Sequence, residues 1–455
     1  IEWVPPCKVL RNWNEQARVL LPNWLLHKHL GLGFLKKDII LSDSLARALG
    51  IEEYGPKTVF HVMSSLSRSK NGLKDMGLGW LSSWINEVYL MSLNSGTESD
   101  LILSLRKVPF IPLSDGKYCF VDRGTIWLHC DTIGVGNEYD FKAFPKLYSK
   151  LRIVNPALFS AAVAADKSCL DASIVENVTR LLIKVGVQRL SAHEIVKMHI
   201  LPSISDDRNI SRDKDLLTDY LAFILLHMQS SCPSCCLERD WIMSHLRTEA
   251  LVLTNYGYKR LNEVPIHFSR EFRNPIDMNK LINGKDMIWH ELDSIYLEHP
   301  ITKSVPDGIL KGRNFFQELG ITDFVQIVQV EKPIANVTLT SMGPTVKDWE
   351  SWELGHLLSR FSSRGDREKC KYLLEIIDTL WDDYFSDKVT SCCMVTSCEA
   401  GKPFESSIIS MLQNAKWMVS IMDDDLHYPR DLFLDCEAVR SIIGATAPYA
   451  VPKVV

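Results

Sequence analysis

The pattern of apolar positions changes along the chain. Through the first 105 residues it is helical nearly throughout, and its clearest stretch is Trp80, Leu81, Trp84, Ile85, Val88 and Met91. That i, i+3, i+4, i+7 stripe gives one helix a core-facing side. Ser42 or Asp43 reads as the N-cap of an earlier helix that ends at Gly50. After residue 105 short runs with strand character appear, and in the first two cases helical patterning follows them.

These runs come in pairs around turns. Val108–Val121 (VPFIPLSDGKYCFV) places apolar segments on both sides of Ser114-Asp115-Gly116, and Leu251–Leu261 (LVLTNYGYKRL) does the same around Asn255, Tyr256 and Gly257. Both patterns predict a β-hairpin. A third, more diverged copy runs from Trp417-Met418-Val419-Ser420 to His427–Phe433 and has Asp423-Asp424-Asp425 where the turn belongs.

A second phrase recurs: an apolar pair, two spacers, an apolar residue, Gly, and a β-branched residue. It occurs as Leu45-Ala46-x-x-Leu49-Gly50-Ile51, Leu181-Leu182-x-x-Val185-Gly186-Val187 and Phe315-Phe316-x-x-Leu319-Gly320-Ile321, with an echo at Ile442-Ile443-Gly444-Ala445. The spacing of about 130 residues is that of a domain, longer than common solenoid repeats. Gly can take the left-handed position after a helix without a Cβ penalty, and the next apolar residue then folds back on the last turn. The phrase is therefore expected to be a helix stop rather than a ligand loop.

Together these features predict an α+β fold of tandem diverged units, each a hairpin or small sheet followed by helices, preceded by a mainly helical segment. The expected divisions are 1–105, a helical or winged-helix module or the end of a preceding unit, then 106–202, 203–340 and a more diverged 341–455. Ser203–Asp213 and Met342–Trp349 are the expected exposed connections.

Composition narrows the function classes. With 46% hydrophobic and 24% charged residues the chain is ordinary globular material. A formal net charge of -5, from 51 basic and 56 acidic side chains, gives no overall field for gathering nucleic-acid phosphates. The longest apolar run, Leu221–Leu226, is far too short for a membrane span and His227 follows it. Ile1-Glu2-Trp3-Val4-Pro5-Pro6 has neither an initiator Met nor a signal-peptide pattern and reads as a cut into a longer chain. Twelve irregularly placed Cys argue for a reducing compartment, cytoplasm or nucleus. The sequons at Asn177, Asn209 and Asn336 are frequent enough by chance not to change that.

No motif assembles a catalytic, cofactor or metal site. Asp75-Met76-Gly77-Leu78-Gly79 has the D-x-G-x-G form with which GHKL ATPases hold adenine, yet residues 30–44 offer neither the Glu nor the Asn such a site needs. A loop opening the Trp80–Met91 helix is the plainer reading. Cys232, Cys235 and Cys236 have one zinc-compatible spacing, but Cys392, Cys393 and Cys398 are not the second well-spaced pair that a zinc site requires. His427 beside Asp423-Asp424-Asp425 reads as a solvated acidic turn, and His61, His193, His199 and His290 as packing or surface groups. Gly31-x-Gly33 and Gly134-x-Gly136 lack the third Gly of a dinucleotide fingerprint. Trp13, Trp24, His27, Lys28 and His29 set aromatic and basic groups side by side and form the basis of an alternative reading, nucleic-acid binding by the N-terminal helices.

Four stretches, VPFIPLSDGKYCFV (108–121), LNEVPIHFSREFRN (261–274), FFQELGITDFVQIVQVEK (315–332) and HYPRDLFLDCEAVRSIIGATAPYAVPK (427–453), resemble the plant NO VEIN family. A more distant likeness links the FIPLSDG hairpin to the long repeats of sacsin. The resemblance implies a very large nuclear protein that acts in cell fate, leaf vascular patterning and auxin-dependent development. It also implies a GHKL ATPase domain that lies outside this chain, upstream of it. On that reading the chain is a non-catalytic region with no cofactor of its own. Its partners would be the ATPase domain and unidentified proteins, with nucleic acid as the alternative partner, no membrane, and the nucleus, or alternatively the cytoplasm, as its location.

Overall fold

A computed structural model describes residues 4–94, 98–128, 142–165, 174–206, 213–229, 233–282, 287–303, 307–333, 345–394 and 404–450. The fold is α+β, with helices joined to small sheets, and the chain divides into two compact units, Ile1–Pro202 and Ser203–Val455.

In the first unit the predicted stripe lies on the helix Gly72–Asn94, where Leu81, Trp84, Ile85 and Val88 are all buried. Gly77 kinks this helix with φ 76°, so the D-x-G-x-G segment, expected as a loop opening the helix, is instead a kink within helical backbone that begins at Gly72. The helices Pro56–Arg68, Ala157–Ala165 and Ile174–Val185 pack around it. Trp84 meets Phe110 at 5.5 Å between ring centroids and donates Nε1–H to the Val59 carbonyl at 3.4 Å. Truncation of so large a buried ring to Ala costs about 3–5 kcal/mol. One core cluster runs from Leu10 to Val187, on both sides of the expected division at 105/106.

The opening segment is less purely helical than its pattern predicts. Strands Gly33–Phe34, Val9–Arg11 and Glu52–Glu53 form a parallel sheet in that order, with Leu10 paired to Phe34 and Glu52. Strands of two or three residues are too short for a period-2 alternation to register in sequence.

The helix stops form as their chemistry requires. Gly50, Gly186, Gly320 and Gly444 all have positive φ, at 69°, 114°, 100° and 96°. In the three strong copies the amide after Gly reaches back to the second residue of the apolar pair: Ile51 to Ala46 at 2.9 Å, Val187 to Leu182 at 2.9 Å, and Ile321 to Phe316 at 3.1 Å. This is the Schellman closure, and Ile51, Val187 and Ile321 are buried by it. At Gly444 only the Gly amide is bonded back, to Arg440 at 3.0 Å. Ser42, rather than Asp43, caps the first of these helices by accepting from the Leu45 amide.

All three hairpins are present as antiparallel pairs, Ile111–Pro112 with Tyr118–Cys119, Leu251–Thr254 with Gly257–Arg260, and Met418–Val419 with Leu426–His427. In the second unit a four-stranded antiparallel sheet also forms, ordered Val328–Pro333, Thr345–Glu350, Thr390–Met394 and Phe404–Glu405. Helices Trp352–Arg364, Arg367–Thr379 and Ser407–Gln413 contribute with Phe324, Trp289 and Phe385 to the core of this unit. Met342–Trp349 is therefore not an exposed connection in its described part: residues 345–349 lie in a strand of this sheet, and Asp348 is buried. Of the other expected connection, Ser203 and Ile204 end a helix and residues 207–212 lie outside the described residues.

Candidate functional site

The first unit contains a cavity of about 750 Å³ beside its central helix, within the size range of ligand pockets. Among the described residues four helices supply its walls: Glu15–Leu20, Gly72–Asn94, Ala157–Ala165 and, through Ile174, Ile174–Val185. The first of these starts at Asn14, whose side chain accepts from the Ala17 amide at 2.6 Å, and it turns Leu20 inward while Val19 stays 82% exposed at the cavity mouth. Small residues keep the space open. Gly79, Ser83, Ala161 and Ala164 line it, and a Cβ placed on Gly79 would meet nothing within 4 Å.

Trp80 is fixed in the wall by Nε1–H donation to the Leu20 carbonyl at 2.8 Å. Asn86 is oriented through its Oδ1, which accepts from Asn177 Nδ2 at 2.8 Å. Asn177, the first sequon, is thus a buried bracing amide. Glu15 at the rim pairs with Lys37, which holds its carboxyl below the ordinary value.

Glu87 differs from all of these. It lines the cavity, is only 9% exposed, and makes no hydrogen bond or ion pair with the described residues. Burial pushes its carboxyl up. The nearby Tyr54 hydroxyl is also buried without a partner, and its phenol is pushed up by burial and by the Glu87 charge. Unmet carboxylate and hydroxyl groups beside an apolar space suit a hydrogen-bond donor or cation better than an anion.

The second unit buries Asp348 and Glu353, and both have partners. Asp348 Oδ1 accepts from Ser391 Oγ at 2.6 Å and the Ser407 amide at 2.9 Å, while Oδ2 accepts from Lys332 Nζ at 2.6 Å and from the Ser407 hydroxyl. Burial alone would raise this carboxyl, yet the donors from Lys332, Ser391 and Ser407 together hold it well below the usual range. Glu353 Oε2 accepts from the Gln326 amide at 2.7 Å and Oε1 lies 2.9 Å from His267 Nε2. The Thr322 hydroxyl donates to the Phe324 carbonyl at 2.6 Å, so toward His267 Nδ1, at 3.2 Å, it can only accept. Trp289 stacks on the imidazole at 3.6 Å.

The residues singled out from sequence fall elsewhere. Asp75–Gly79 contributes only Gly79 to the cavity. His427 Nε2 contacts Asp423 Oδ1 at 2.8 Å and closes the acidic hairpin turn, where Arg367 also bonds the Asp423 carbonyl. His61 is exposed against Phe60, His193 and His290 are buried, and burial lowers His199 to about 4. Trp13 is packed on Phe34 and donates to the Leu35 carbonyl at 2.7 Å, Trp24 is 60% exposed, and His29 contacts Ser65 at 2.9 Å. Cys236 is exposed, whereas Cys232, Cys398, Gly134, Gly136, Asn209, Asn336 and the side chains of Cys235, Cys392 and Cys393 lie outside the described residues. Among the described residues no three His, Cys, Asp or Glu side chains converge to hold a metal ion, and no helix is long and apolar enough to cross a membrane.

Sequence reasoning missed Glu87, Asp348 and the His267–Glu353 pair. The last two partners are far apart in the chain, yet His267 and Thr322 belong to two of the four stretches quoted above for their family resemblance, and these stretches meet through a parallel bridge at those residues.

The whole chain aligns over 471 positions with Protein NO VEIN of Arabidopsis thaliana at 48% identity. It spans 17% of that relative's length. No family model matches the chain, and no solved structure does.

Proposed function

The chain belongs to the NO VEIN family, and from that premise we propose that it is a non-catalytic regulatory and protein-interaction region of a large nuclear protein of plant cell-fate and vascular, auxin-dependent development. Its task is to support a GHKL-type ATPase domain elsewhere in the same polypeptide, by holding a partner or by passing on the state of the nucleotide site. The observation that carries this reading is the match itself: all of this chain corresponds to 17% of the relative, as a region working inside a larger machine does. The second unit supports it too, because the buried acids Asp348 and Glu353 are taken up by bonds that brace the fold.

The test joins the 455-residue chain to the ATPase domain and compares the joined protein with each part alone, in nucleotide turnover and in recovery of partners from plant nuclear extract. Joining is expected to change turnover and to add partners. Unchanged turnover together with unchanged recovery rejects the role.

A further inference from the structure

We propose that the cavity of the first unit is a docking site for a lysine or arginine side chain, flanked by apolar residues, on a segment of a partner protein. Glu87 lines it, nine-tenths buried and without a bonding partner among the described residues, and the Tyr54 hydroxyl near it is buried with none among them either. A largely buried carboxylate without a bond is costly, and a bound donor or cation would relieve that cost. Among the described residues the other acid in the lining is Glu15, which already holds Lys37, so the unfilled demand for positive charge is at Glu87.

The walls fit the rest of a long basic side chain. Leu20, Trp80 and Ala161 offer apolar surface for its methylenes, and the Trp80 ring is held in place by its bond to the Leu20 carbonyl. A cation that passes such a ring gains further attraction from the ring face. The volume of about 750 Å³ exceeds what one side chain fills, and the apolar lining continues outward to Val19, which is 82% exposed. Both features favour a protein segment, which brings apolar neighbours with its basic residue, over a small free cation. The proposal gives the interaction role above a surface, and it rests on that reading only for the partner's being a protein.

The test uses the 455-residue chain and three probes: acetyl-Ala-Leu-Arg-Leu-Ala amide, the same peptide with citrulline for arginine, and N-acetylarginine methylamide. Affinities are read by calorimetry or ligand-observed NMR. The arginine peptide is expected to bind about tenfold or more tightly than the citrulline peptide, which has the same shape without the charge, and tighter than the single amino acid by a similar factor. Glu87→Gln is expected to erase the preference for arginine. Gly79→Leu, which leaves Glu87 in place and grows into open space, is expected to abolish binding of both peptides. Equal affinity for the two peptides, or a preference that survives Glu87→Gln in protein whose circular dichroism is unchanged, overturns the proposal. So does N-acetylarginine methylamide binding as tightly as the peptide, which would make the ligand a small cation. Should Glu87→Gln fail to fold, unimpaired peptide binding by Gly79→Leu rejects the site and lost binding upholds it. Peptide binding here with no effect of this chain on ATP turnover would sink the regulatory role while leaving the docking site standing.

Discussion

Glu87 in the first unit and Asp348 and Glu353 in the second are buried acids with opposite surroundings. In the second, Asp348 sits in a sheet and collects donors from a Lys, two Ser hydroxyls and a backbone amide, and Glu353 is clamped between His267 and the Gln326 amide. In the first, Glu87 lies against a cavity and bonds none of the described residues. A satisfied buried charge braces the fold, whereas an unsatisfied one weakens it and is tolerated where it meets a ligand. Burial by itself thus says little about whether an acid serves structure or binding; its donors decide.

The sharpest way to break this contrast is Asp348→Ala. It strands the Ser391 hydroxyl and the Ser407 amide and leaves Lys332 with Glu350 and Ser407 alone, and a loss of about 3–5 kcal/mol is expected in chemical denaturation, since removing one member of a buried network leaves partners uncompensated. A loss under about 1 kcal/mol would show that water replaces the carboxylate there.

Next in size, Glu353→Gln keeps the shape of the side chain but weakens its bridge to His267. A cost of about 2 kcal/mol is expected from the same measurement, as for a hydrogen bond to a charged group. Glu87→Gln should go the other way and stabilise the chain by about 1 kcal/mol, because it removes a buried carboxylate that no described residue compensates. Destabilisation by Glu87→Gln would mean that the carboxyl has a structural partner after all.

The smallest effect is the pH dependence, and it separates the two acids by sign. Asp348 has a folded value below its unfolded one, so its stabilisation is complete above the ordinary carboxylate range and is lost as pH falls below that range. Glu87 has a folded value above its unfolded one, so its contribution is most favourable below the ordinary range and is lost as pH rises through it. In urea midpoints recorded from pH 7 down to pH 3, Asp348→Asn is expected to flatten the acid-side fall of the chain, and Glu87→Gln to steepen it. The same slope in both variants would refute the contrast.

Much of the fold was legible in sequence because its signals are local. A glycine after an apolar pair announces a helix stop whatever surrounds it, since only glycine takes positive φ at no cost, and three such phrases became three Schellman closures. The hairpins at Gly116 and Gly257 were announced by their turns for the same reason. The third hairpin, with aspartates at its turn, forms because side chains supply what glycine would: Asp423 accepts from His427 and from the Asp425 amide at 3.1 Å. The parallel sheet of the opening segment and the strand through Asp348 left no pattern, being too short in one case and polar in the other.

The sequence by itself determined the α+β class, the helix stops, the two glycine-turn hairpins and, through four long stretches, the family resemblance, because each is written in neighbouring residues. Only the tertiary structure decided what the acids do. Glu87 occupies an ordinary helical position among polar and apolar neighbours, and Asp348 stands in a stretch that reads as a connection. Whether a carboxylate is satisfied depends on donors such as those Lys332, Ser391 and Ser407 bring to Asp348, or on the lack of a bond from any described residue to Glu87, and that is settled by packing between segments distant in the chain.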